Sequence, residues 1–194
     1  LIQHAYEEAR DAGIEEFIFV SGRHKELIEE HFDYQPELMQ TLEARGKTDM
    51  VKKVSSSEMT EGQLFLTRQA RPLGLGHAIW CAKKLVGNEP FAVVLPDDVI
   101  LAEKGCLSQL VESYEAQGGN LVAVMDVARE DTAKYGVLDV ESDDGHLAKV
   151  RGMVEKPKPE DAPSTLSVIG RYILQPEVFD YLSAFEKGSG GEIQ

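Results

Sequence analysis

The sequence predicts an α/β protein: a mostly parallel sheet covered by helices in three layers, with an antiparallel excursion in its C-terminal half. Three observations predict it. Short apolar runs of strand length, such as Phe17–Val20 and Phe91–Leu95, alternate with helical stripes, and strands apolar on both faces are those buried beneath helices on both sides. The alternation holds as far as Val127, which demands crossover connections. Beyond Val127 two strand-like runs flank Asp144-Gly145, a strong hairpin signal.

The elements follow in order. A helical stripe opens at Leu1 and Ile2, continues through Ala5, Ala9 and Ala12, and is ended by Gly13. The strand Phe17–Val20 stops at Ser21-Gly22; His24–Phe32 and Pro36–Arg45 are helical by spacing, and Lys47–Met59 is a short helix and loop. Leu64–Thr67 is the second strand, followed by a turn-rich stretch from Ala70 to Gly76 and a helix from His77 to about Leu85. Phe91–Leu95 is the third strand, Leu107–Gln117 a helix and Asn120–Val127 the fourth strand. The hairpin pairs Gly136–Val140 with Leu147–Val154; a Pro-rich loop, the strand Ser167–Leu174 and the helix Pro176–Phe185 complete the chain. Residues 1–194 contain no repeat and are expected to form a single domain, cut at both ends.

Composition narrows the function. Twenty basic residues against 34 acidic give a net charge of −14, which argues against nucleic acid as a partner, because phosphate binding needs a basic face. No apolar run of 18 residues offers a membrane span. Cys81 and Cys106, far apart and without metal-ligand spacing, fit a reducing cytoplasm. The five histidines form no His-x-x-x-His pair and no Gly-x-Ser-x-Gly elbow exists.

Two segments sit where an α/β sheet binds ligands, outside the carboxyl ends of its strands. The first is Arg68–Ala78. Gly74 and Gly76 let backbone approach a ligand closely, and the helix start offers N–H groups to an anion. A tight strand-to-helix connection explains the same glycines equally well, and Ile79 stands where a dinucleotide fingerprint wants a third small residue. The second is Leu95-Pro96-Asp97-Asp98, whose carboxylates suit a hard cation bridging phosphates, or else merely cap a turn. Residues 68–84 hold four basic and no acidic side chains, and residues 149–158 four basic against Glu155. Two basic islands in an acidic chain fit a small polyanionic ligand. In Glu155-Lys156-Pro157 the carboxylate suits sugar hydroxyls and the lysine a phosphate, although a surface ion pair is the plainer reading.

Taken in order, Gln69…Pro72-Leu73-Gly74-Leu75-Gly76-His77-Ala78, Leu95-Pro96-Asp97-Asp98, Tyr135-Gly136-Val137, Val154-Glu155-Lys156-Pro157, Val168-Ile169-Gly170-Arg171-Tyr172 and Gly191-Glu192-Ile193-Gln194 resemble the bacterial UTP–glucose-1-phosphate uridylyltransferases of the sugar-phosphate nucleotidylyltransferase family. The resemblance implies a Rossmann-like, nucleotide-diphospho-sugar transferase fold, and the reaction of UTP with glucose 1-phosphate to give UDP-glucose and pyrophosphate. It implies that Gln69 and Gly74 contact uracil and that Asp97 holds Mg²⁺. It places Gly136 and Glu155 on the glucose, Lys156 on its phosphate, and Val168 and Gly170 along the sugar pocket, with Asp97 and Lys156 the catalytic pair. A cytoplasmic homo-oligomer is expected of the whole protein. The family's Gly-rich Gly-Thr-Arg loop and second metal carboxylate are absent from these 194 residues, so the isolated chain is expected not to turn over. The alternatives are a thymidylyl or other sugar-phosphate nucleotidylyltransferase, a non-catalytic sugar-nucleotide-binding module, and, disfavoured by Ile79, an oxidoreductase domain.

Overall fold

A computed structural model of the chain describes residues 1–186 together with 191 and 193. Its elements run α1 (Ile2–Asp11), β1 (Phe17–Ser21), α2 (Glu26–Glu30), α3 (Pro36–Ala44), α4 (Thr48–Ser55), β2 (Leu64–Arg68), α5 (Leu75–Cys81), α6 (Lys83–Val86), β3 (Phe91–Val94), α7 (Cys106–Gln117), β4 (Leu121–Asp126), a 3-10 turn (Arg129–Lys134), β5 (Gly136–Asp143), β6 (Ala148–Glu155), β7 (Leu166–Leu174) and α8 (Val178–Leu182). Glu192 and Gln194 of the last motif lie outside the described residues.

Local chemistry explains the element ends. Gly13 has φ +89°, and the Gly13 and Ile14 N–H groups donate to the carbonyls of Arg10 and Ala9, closing α1 with a left-handed cap. The helix expected over His77–Leu85 starts two residues earlier and breaks at Ala82. There Thr67 Oγ1 donates to the Cys81 carbonyl at 3.2 Å, drawing on an acceptor at the end of the first segment. At the hairpin tip, Asp144 accepts from the N–H groups of His146 and Leu147, so β5 runs on to Asp143.

Sheet pairing refines the parallel expectation. β1 and β2 pair in parallel, Phe17 opposite Leu64 through Ser21 opposite Arg68. β3 and β4 also share one direction, but β7 lies between them, antiparallel to both: Ile173 is opposite Ala92 on one edge and Leu121 on the other. The alternating rhythm gives the shared direction correctly; a strand arriving from residue 166 takes the place between. β5 joins β7 through Val137 opposite Ser167 and pairs with β6 on its other side.

The main core clusters Tyr6, Ala9, Phe17, Phe32, Leu107, Leu110, Ala123 and Ile173, so α1, α7 and strands from both sheets share one apolar interior. Tyr6 packs edge-on against Phe17 and Phe32, with centroids 4.9 and 5.4 Å apart.

Candidate active site

β7 changes neighbours along one edge, and that change builds a crevice. The β3 ladder ends where the Leu95 N–H donates to the Gly170 carbonyl at 2.8 Å. The β5 ladder begins at Ser167. Val168 and Ile169 therefore floor a gap between the end of one strand and the start of another, with Asp97 leaving on one side and Gly136 entering on the other.

The turn after β3 is gripped from beneath. Asp98 Oδ2 accepts the Gly170 N–H at 2.9 Å, and Arg171 donates to the carbonyls of Leu95 and Asp98, each at 3.0 Å. Arg171 is fully buried and pairs with Glu8 of α1 at 2.8 Å; Glu8 Oε1 also accepts the Leu107 N–H. A Cβ at Gly170 would come within 2.6 Å of Leu95 Cβ and 2.7 Å of Asp98 Oδ2. Gly170 thus has a packing task that its sequence motif does not reveal. Asp97 itself is exposed and makes no hydrogen bond among the described residues, which leaves its carboxylate free toward solvent.

On the opposite wall Gly136 and Glu155 are cross-strand partners, with Glu155 Oε2 3.1 Å from where a Gly136 Cβ would stand. Lys156 follows in the left-handed region at φ +46°, its N–H bonded to the Tyr135 carbonyl and its ammonium 3.4 Å from Glu155. Strain of this kind in a non-glycine residue is characteristic of functional sites. Burial pushes the Tyr172 phenol up from the ordinary value near 10, and the Asp98 and Glu155 charges push it further. Half of the second basic island, however, is occupied elsewhere: Lys149 pairs with Glu141 and Arg151 with Asp139 across the hairpin.

Beside the crevice lies a cavity of about 1050 Å³ between β1 and β3. Every residue of both strands lines it, consecutive and not alternate, so it opens on strand edges between α1 (Ala5, Ala9) and α5 (Ala78, Ile79). The carboxyl ends of β1, β2 and β3 converge on it through Ser21–Arg23, Gln69–Ala70 and Leu95–Pro96. The Gln69 N–H donates to the Ser21 carbonyl, extending the parallel ladder by one residue. Its side-chain amide donates to the Gly74 carbonyl at 2.9 Å, and Gly74 holds φ +107°, open to glycine at little cost. At the start of α5 the Gly76 N–H donates to the Ile193 carbonyl at 2.9 Å, so this N–H is not open to an anion.

Strand pairing thus brings Gly136, Glu155 and Lys156 together at the β5–β6 edge, and the Asp98 turn sets Asp97 near Gly170; Val168 lies between on β7, Gln69 lines the neighbouring cavity, which reaches Pro96, and Gly74 is held to Gln69 by its carbonyl. Sequence reasoning named Asp98 only as a carboxylate for a cation and not as the acceptor that grips Gly170, and it gave no role to Tyr172, Arg171 or Glu8. One signal was present: Arg171 interrupts an apolar strand, and a buried guanidinium requires an acidic partner. Among the described residues no three acidic, histidine or cysteine side chains cluster as a metal cage, and no helix is long and apolar enough to cross a membrane.

A cavity at the carboxyl ends of strands is where open α/β sheets bind ligands, nucleotides among them. The chain belongs to the nucleotidyl transferase family, whose pattern matches residues 1–192. It is 52% identical, over its whole length, to the UTP–glucose-1-phosphate uridylyltransferase of Komagataeibacter xylinus, of which it covers 68%, and 45% identical to that of Bacillus subtilis strain 168, of which it covers 66%. The UTP-bound UGPase from Acinetobacter baumannii superposes with a TM-score of 0.89 at 36% identity, over all of this chain and 67% of that one. The chain therefore spans about two thirds of the length of these relatives.

Proposed function

We propose that this chain is the larger part of an enzyme that transfers uridylyl from UTP to glucose 1-phosphate, giving UDP-glucose and pyrophosphate. The observation that carries the proposal is the convergence of three strand ends on one cavity that reaches Pro96, the residue before Asp97. The nucleotide base lies at Gln69 and Gly74, and the hexose at Gly136, Glu155 and the Val168–Gly170 floor. Lys156 meets the sugar phosphate.

An oxygen of glucose 1-phosphate attacks the α-phosphorus of UTP; the new P–O bond forms as the bond to the β-phosphate oxygen breaks, and pyrophosphate leaves. Such a reaction asks for alignment and charge neutralisation, with no covalent nucleophile. Asp97 fits a magnesium site, since Mg²⁺ is held by one or two carboxylates while phosphates and water complete its shell. When bound, Mg²⁺ neutralises phosphate charge. This chain's own part is to hold the sugar phosphate with Lys156 and the base with Gln69.

The reading includes a cytoplasmic, homo-oligomeric whole protein, in keeping with two unpaired, half-buried thiols; sedimentation velocity of the complete gene product tests the assembly. Pyrophosphate release coupled to a colour reaction tests the activity. The complete gene product is expected to turn over UTP with glucose 1-phosphate and Mg²⁺, and the isolated 194 residues are expected not to. Faster turnover with dTTP would reassign the enzyme to the thymidylyl branch. UDP-glucose binding without turnover by the complete product would favour a non-catalytic module.

A further inference from the structure

We propose that His77 is a specificity-determining residue: by fixing which way the Gln69 amide points, it makes the base site accept a pyrimidine that carries a proton on N3 and refuse cytosine. The proposal rests on the reading that Gln69 meets the base. Gln69 Nε2 lies 2.9 Å from the Gly74 carbonyl oxygen and 3.0 Å from His77 Nδ1. A carbonyl oxygen only accepts, so the atom facing Gly74 must be the amide nitrogen, and the reversed amide would set two acceptors against each other. The second amide proton then goes to His77 Nδ1, which is unprotonated in this arrangement, with the ring proton on Nε2.

Both protons of the Gln69 amide are thereby used, and Gln69 Oε1 has no hydrogen-bond donor among the described residues. What the side chain presents to a ligand is an acceptor in a fixed place. Uracil and thymine offer N3–H to such an acceptor. Cytosine offers a lone pair at N3, and two acceptors face to face cost more than either loses to water.

The imidazole is itself well held. It sits on α5, stacks on Trp80 at a centroid separation of 6.0 Å and an interplanar angle of 20°, and has Cys81 Sγ 3.9 Å from Nδ1. Burial pushes the Cys81 thiol up from its ordinary value, so it remains an uncharged neighbour. Gly74 sets the other half of the lock, because its φ of +107° turns the carbonyl toward Gln69.

The test is calorimetric binding of UTP and CTP to the complete gene product, with no turnover required. The wild type is expected to prefer UTP. His77→Ala leaves the amide held by one partner only, and the UTP-to-CTP affinity ratio is expected to fall about tenfold, the weight of one lost orienting hydrogen bond. His77→Asn returns an acceptor near the Nδ1 position and is expected to restore most of the ratio, which a merely structural role would not do. A ratio unchanged in His77→Ala, while Gln69→Ala weakens UTP, overturns the proposal and leaves the base site standing. UTP affinity unchanged in Gln69→Ala removes the underlying reading of Gln69, and this proposal with it.

Discussion

Arg171 and Glu8 stand 163 positions apart in the chain and meet at 2.8 Å in its interior, the guanidinium wholly buried and the carboxylate nearly so. Every other donor contact of that guanidinium goes to the carbonyls of Leu95, Gly170 and Asp98. A buried pair rarely adds much net stability, but breaking it strands a charge at a cost of about 3–5 kcal/mol. Arg171→Met or Glu8→Leu alone should lower the unfolding free energy from urea denaturation by that amount. The double substitution should be much milder than the sum, since neither charge is left alone. Additive losses would show that the two groups do not act as a pair.

Asp97 and Asp98 are neighbours with different work. Asp97→Asn should lower turnover of the complete gene product at least about a hundredfold and raise its magnesium requirement, with an unchanged melting temperature. Asp98→Asn weakens the clamp on the Gly170 N–H and should lower the melting temperature as well. Both effects are read by pairing a magnesium titration of activity with thermal unfolding.

Two glycines of the crevice should differ in tolerance. At Gly170 an added methyl meets Leu95 Cβ at 2.6 Å and Asp98 at 2.7 Å; at Gly136 it meets Met153 Sδ at 2.7 Å. The Met153 thioether is the far part of a flexible side chain and swings aside more readily than Leu95 Cβ, which is fixed to the backbone. Gly170→Ala should cost about 1–3 kcal/mol and Gly136→Ala less, as denaturant unfolding will measure.

Tyr172 supplies a titration test of the crevice. Its phenol is pushed above the ordinary value near 10 by burial first, then by Asp98 and Glu155. The native state thus holds the proton more tightly than the unfolded chain. That contribution to stability is fully present below about pH 10 and is lost as pH rises through the raised native value. Alkaline absorbance titration should show one late phenol that disappears in Tyr172→Phe and moves earlier in Glu155→Gln. A phenol indifferent to Glu155 would place the two walls apart.

Much of the fold was legible because it rests on local pattern. The apolar runs at Phe17 and Phe91, the Asp144-Gly145 tip and the Gly13 cap each carry their cause within a few residues. The antiparallel insertion of β7 was not, since Ile173 pairs with Ala92 and Leu121 through a register that no short window records. Site motifs were visible as spacing, but their division of labour was not. The Gly76 amide turns out to be used by Ile193, and Lys149 and Arg151 by the hairpin's own carboxylates.

The cavity between β1 and β3 has a consequence for handling the molecule. Each of those strands hydrogen-bonds a strand on one side only among the described residues, so each keeps a row of unspent amides and carbonyls along its other edge, beside the apolar cavity. Such rows are an adhesive seam, and any extended peptide with alternating small apolar side chains can zip into them. At high concentration this chain by itself should stick to its own copies, and a strand laid lengthwise between Phe19 and Val93 would end that tendency.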